Sequence, residues 1–159
     1  MIHPECWSLL SIYYRLRYGS THIDSRSRKW YATLPVEGKT VLDIGGYNGD
    51  SAKFFLNRGA RRVIVIECDK VLADRIDMDN VEVINDWFKL DYLYTLAYDV
   101  FKCDIEGYEE LLLHYKASEL KPGIIEVHGQ QLIDHFVDRG WRVLQRERLV
   151  SNLGFVCNY

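Results

Sequence analysis

The stretch VLDIGGYNGD, Val41 to Asp50, decides how this chain is read. An apolar run carrying one acid, Asp43, passes into a turn with glycines at 45, 46 and 49, and Asp50 then opens a helical pattern. Glycine has no Cβ, so a turn of this composition lets a ligand's polar groups come close to the backbone. The amides that open the following helix face an anionic group such as a carboxylate or phosphate. Strand, glycine turn and helix together form the first unit of an alternating α/β pattern.

The remainder of the chain repeats that unit. Strands are expected at residues 40–44, 62–66, 81–84, 100–105 and 124–127, with helices at 50–58, 70–76, 90–97, 108–114 and 130–139 between and after them. Repeated alternation demands a mostly parallel, twisted sheet with helices on both faces. The tail departs from it. Residues 141–148 and 155–159 read as two strands joined by a short loop, and with no helix between them they must pair antiparallel. Ahead of the first strand, residues 5–18 show Trp7, Leu10, Tyr14 and Tyr18 at helical spacing. Residues 21–29 read as a polar loop, and 30–34 as a short helix before Pro35. The organisation expected is an N-terminal helical extension, 1–38, and one globular domain, 39–159.

At 159 residues and a net charge of −3, the chain suits a single core and carries no general attraction for nucleic acid. No apolar stretch approaches the roughly 20 residues of a membrane span. The four cysteines, at 6, 68, 103 and 157, form no CxxC pair. They are expected to be reduced, with Cys68 and Cys103 buried in strands, in a cytoplasmic protein.

Ligands of open α/β sheets sit beyond the carboxyl ends of the strands. Every expected parallel strand here ends in an acid or amide: Asp43, Glu67, Asn85 with Asp86, Asp104 with Glu106, and Glu126 with His128. Glu67 has the clearest role, because an acid about 20 residues past the glycine turn accepts hydrogen bonds from ribose hydroxyls. The glycines lack the GxGxxG spacing of a dinucleotide site. Asp43 would sit against a pyrophosphate, whereas it suits a ligand carrying an ammonium or sulfonium. S-adenosylmethionine (SAM) carries both, with a carboxylate and a ribose.

The same residues carry a family resemblance. DIGGYNG, 43–49, resembles motif I of class I SAM-dependent methyltransferases, with Glu67 as their ribose acid. FKCDIEGYEELLL, 101–113, is similar to the KxDxEGxE signature of FkbM-type methyltransferases, matched by Lys102, Asp104, Glu106, Gly107 and Glu109. IIEVHG, 124–129, resembles that family's fifth-strand segment, and Cys68 stands where the family usually has Pro. The resemblance implies a Rossmann-like sheet ending in an antiparallel hairpin. It also implies that Asp43, Gly45, Gly46 and Gly49 hold the methionine part of SAM, Glu67 the ribose, and Asp86 with Trp87 the adenine. Asp104 would face the methyl group, with His128 as base and Glu106 as the second candidate.

The activity so implied is methyl transfer to the oxygen of a small molecule or sugar. RNA is the first alternative acceptor, through the basic residues Arg58, Arg61 and Arg62, the 15–29 region and 139–148. A non-catalytic nucleoside-binding partner domain is the second. No metal site is assigned: the paired acids near strand four could hold Mg²⁺, but the sequence resolves no coordination set. A dimer contact through the hairpin edge or the N-terminal helix is left open.

Overall fold

A computed structural model describes residues 25–146 and 153–159. The helix expected at 5–18, and Cys6, lie outside the described residues.

Five short apolar runs form the parallel part of one seven-stranded sheet: β1 (Thr40–Ile44), β2 (Arg62–Ile66), β3 (Val81–Ile84), β4 (Val100–Cys103) and β5 (Gly123–His128). Two further strands, β6 (Arg142–Arg146) and β7 (Leu153–Cys157), complete it in the order β3-β2-β1-β4-β5-β7-β6. The hairpin is antiparallel as expected, and its second strand, not its first, pairs with β5. From β1 the chain moves outward through β2 to β3, then returns to lay β4 on the other flank of β1. That reversal opens a crevice beyond the ends of β1 and β4.

Strand periodicity sends alternate residues to two cores. Leu42, Ile44, Ile64, Ile66, Phe101 and Cys103 pack on one face with Ile133 and Phe136 of the helix Gln130–Asp138. Val41, Val63, Val65, Val100 and Ile124 pack on the other with Ala52 and Phe55 of the helix Asp50–Leu56. The second face also receives α1 (Ser25–Tyr31), where the sequence pattern suggested a loop through residue 29. Local propensity is weak there, with no acid in the first turn. Packing supplies the order, as Trp30 stacks on Phe155 and Tyr31 buries its ring edge-on to the same side chain. Tyr31, Leu34 and Val36 are core residues, although they lie upstream of the boundary expected at residue 38.

The remaining helices are short. α2 (Asp50–Leu56) ends before Gly59, α3 (Lys70–Ala73) is capped by Asp69 accepting from the amides of Val71 and Leu72, and α4 (Tyr92–Thr95) is a single turn. The helix expected at 108–114 is a 3₁₀ segment, Glu109–His114. Cys103 and Cys157 are buried free thiols, while Cys68 is exposed, against expectation, because it lies just past the end of β2 on the open rim. No helix of the described residues is long and apolar enough to cross a membrane.

Candidate functional site

The glycine turn is built by close packing before any ligand is considered. Gly45 has φ +76, and a Cβ there would lie 1.8 Å from the carbonyl oxygen of Asp104. A Cβ on Gly46 would lie 2.2 Å from Val65. The turn is thus pressed between the ends of β4 and β2, which only glycine permits.

Asp43 and Lys102 are register partners on β1 and β4. Both are buried, and the Lys102 Nζ lies 3.0 Å from Asp43 Oδ1 while donating to the Gly45 carbonyl at 2.6 Å. Ser51 Oγ at the start of α2 donates to the second Asp43 oxygen. Asp43, expected at the ligand, has no solvent-accessible surface. It fastens the turn, the next helix and β4 into one unit. The ammonium is held well above its ordinary range by the charges of Asp43 and Asp104, which overcome the opposing effect of burial.

On the other side of the turn, Glu67 Oε2 accepts from the Tyr47 amide at 2.8 Å, and Oε1 accepts from the Asp69 amide at 2.8 Å. Its environment raises the carboxyl pKa, chiefly through burial, with those two amides pulling the other way. Each oxygen keeps a lone pair for a further donor. Asn85 braces this corner by donating to the Glu67 and Cys68 carbonyls. Asp86 accepts from the Trp87 amide, Lys89 and Tyr92, and the bonds from Lys89 and Tyr92 pull its pKa down. Trp87 stands 43% exposed, with its ring 6.2 Å from that of Tyr108.

Across the crevice the loop after β4 meets the end of β5. His128 Nδ1 lies 3.0 Å from Glu109 Oε1, and Nε2 lies 3.4 Å from Glu106 Oε2. Glu109 is fully buried and also accepts from the amides of Ile105 and Gly107, so it holds the loop and the imidazole together. Burial alone would lower the imidazole pKa, but the Glu109 hydrogen bond and the charges of Asp104, Glu109 and Glu106 push it up to about 10. The surrounding carboxylates thus favour the protonated form of the ring expected to act as a base. Burial and Asp104 raise the Glu106 carboxyl, whose side chain is nevertheless 46% exposed. One ligand atom each from Asp104, Glu106 and His128 lies within 4.8 Å of the others.

Beneath this cluster Tyr31 and Ser27, which no local pattern marks, join the strand-end acids Glu126 and Asp104. The Tyr31 hydroxyl reaches Glu126 Oε2 at 2.6 Å and Asp104 Oδ2 at 3.2 Å, and Ser27 Oγ lies 3.5 Å from Glu126 Oε1. Burial, then Asp104, pushes Glu126 up to about 8, and burial also raises Tyr31 well above its ordinary range. Asp104 Oδ1 is buried with no hydrogen-bond partner.

The sequence-predicted residues thus fall into one rim, with Asp43 below it and Asp86 turned toward its own loop. Of the basic residues proposed for RNA, Arg58, Arg61 and Arg62 do not join it, while those at 15–24 and 147–148 lie outside the described residues. Arg62 opens β2 at the amino end of the strand, opposite the rim, and pairs with Glu82, Arg61 lies 3.9 Å from Asp99, and Arg58 donates to the Ala32 carbonyl.

Comparison with solved structures places this geometry. The chain superposes on a dimethyladenosine transferase from Plasmodium falciparum with a TM-score of 0.64, at 14% identity, over 86% of this chain and 61% of that one. It superposes on Aeropyrum pernix fibrillarin, which holds natively bound SAM, with a TM-score of 0.59 at 16% identity, over 78% and 68% of the two chains. The fold is the Rossmann-like fold of these methyltransferases. No family model matches the sequence. Among curated proteins, the chain is 31% identical over 107 residues to protein 158B of Sulfolobus islandicus rod-shaped virus 1, covering 62% of this chain and 66% of that protein. It is 36% identical over 90 residues to protein 65 of a Sulfolobus islandicus filamentous virus, covering 52% and 54%. The chain thus spans less than two thirds of either viral relative.

Proposed function

We propose that this chain is a SAM-dependent methyltransferase of the FkbM type, acting on the oxygen of a small molecule or sugar. The observation that carries the reading is the closure of the glycine turn on Glu67, with Asp104 packed against the same turn at the end of β4. The donor set fits the cofactor. Glu67 keeps acceptor capacity for ribose hydroxyls, and the rim is acid-rich, which suits a ligand with an ammonium and a sulfonium. Gly45, Gly46 and Gly49 would bring backbone to the methionine part, positioned from below by Asp43 and Lys102. Trp87 would lie against the adenine, with Asp86 fixing the start of its loop. When bound, SAM supplies a methyl group on a cationic sulfur, already activated for displacement by an acceptor oxygen.

The protein's own task is then to orient and to manage one proton. Asp104 faces the acceptor side, anchored by Tyr31. His128, held by Glu109, stands on that side beside Glu106, the carboxylate with solvent access. The FkbM assignment rests on Lys102, Asp104, Glu106, Gly107 and Glu109, which in this fold form the turn clip, the acceptor wall and the loop anchor. A cytoplasmic setting agrees with the free thiols of Cys68, Cys103 and Cys157. A nucleobase acceptor is the second reading, favoured by the exposed Tyr108 ring on the rim. The deciding experiment is calorimetric titration with SAM, its demethylated product and NAD⁺. Binding of the first two alone supports the reading; silence from both in a folded sample overturns it. Radiolabelled methyl transfer to sugars against RNA then separates the acceptors.

A further inference from the structure

We propose that Asp104, Glu106 and His128 form a divalent-cation site at the ends of β4 and β5. The ligand atoms of the three lie within 4.8 Å of one another. Metal–ligand bonds of about 2.1 Å place adjacent donors about 3 Å apart, so the site needs only a modest contraction. Glu106, the most exposed of the three, is free to supply it.

Two observations separate this group from an ordinary cluster of charges. The first is Asp104. Its Oδ2 is taken by Tyr31, while Oδ1 is buried and meets no donor. Buried polar atoms of native proteins are almost always satisfied, and an ion is one means. The second is the support of the imidazole. Glu109, fully buried and fixed by two backbone amides, holds His128 through Nδ1 and leaves Nε2 directed at the carboxylates. A carboxylate that orients a histidine through its far nitrogen is the usual outer-sphere support of a metal ligand.

The donor set selects among ions. Two carboxylates and one imidazole suit Mn²⁺ better than Mg²⁺, which prefers an all-oxygen octahedron. Three protein donors leave coordination positions open toward the crevice. On the methyl-transfer reading, on which this last step rests, an ion there would hold an acceptor oxygen and favour its deprotonation.

The test is titration of the metal-stripped full chain with Mn²⁺, followed by loss of the free-ion electron paramagnetic resonance signal. Saturable uptake of one equivalent is expected, with Mg²⁺ competing weakly. Asp104→Asn and His128→Ala should each weaken uptake at least tenfold, and Glu109→Gln by about tenfold, the scale of lost outer-sphere support. Glu82→Gln, on the opposite side of the sheet's rim, should leave it unchanged. No uptake by the wild-type chain, or uptake that none of the three substitutions alters, overturns the site. SAM titration in chelator is run beside it. SAM binding without Mn²⁺ uptake removes the ion site alone, and Mn²⁺ uptake without SAM binding removes the methyl-transfer reading alone.

Discussion

On the proposed reading, Glu67 would serve the fold and a ligand together. Its oxygens already receive the Tyr47 and Asp69 amides, so a ribose would add donors to a carboxylate that is positioned beforehand. Glu67→Ala should therefore weaken SAM binding by about 1.5–3 kcal/mol, the value of hydrogen bonds to a charged group, as read by calorimetry. Its neighbour Cys68 offers an independent probe. Burial, then the Glu67 charge, pushes this exposed thiol up to about 11. Thiolate, the reactive form, therefore appears only as pH rises through that value. Cys68 should be alkylated about tenfold more slowly at pH 8 than an unperturbed thiol, after allowing for the greater nucleophilicity of a high-pKa thiolate. Peptide-mapped labelling between pH 7 and 11 measures this, and SAM should protect the residue. The acids at the strand ends were legible because each closes an apolar run. Tyr31 was not, since its partners lie 73 and 95 residues away and no local pattern encodes such a contact.

Between elements, the connection that matters is β1 to β4. The Asp43–Lys102 pair bridges them where every neighbouring strand residue is apolar, so neither charge has water to fall back on. Lys102→Met should cost about 3–5 kcal/mol in urea unfolding, since it leaves Asp43 buried and uncompensated. The strands themselves could be read from β-branched runs and their bounding turns. α1 could not, because its order comes from Trp30 and Tyr31 packing on Phe155, a contact with the last strand. The place of β7 between β5 and β6 was equally hidden. Hairpin pairing can be inferred from a short loop, whereas the choice of which strand docks on β5 depends on long-range packing.

For the molecule as a whole, ligand binding and stability are coupled through the crevice. A ligand that binds only the folded chain stabilises it by about 2.7 kcal/mol at a hundredfold excess over Kd. For a domain of this size, that corresponds to a rise in Tm of about 5–10 °C. SAM and its demethylated product should both produce such a shift in a thermal melt, and NAD⁺ should not. Gly45 against the Asp104 carbonyl, with Lys102 reaching both sides of that seam, bears on how such a scaffold can diversify. On the methyl-transfer reading, the grip on the cofactor would rest on this buried seam, where a side chain at Gly45 would strike the Asp104 carbonyl. The loop after β4 carries the solvent-facing side chains of Glu106 and Tyr108, which hold little of the core. On that same reading, drift would retune what is modified while the donor half stays constant, so that new acceptors are reached by altering a handful of surface positions.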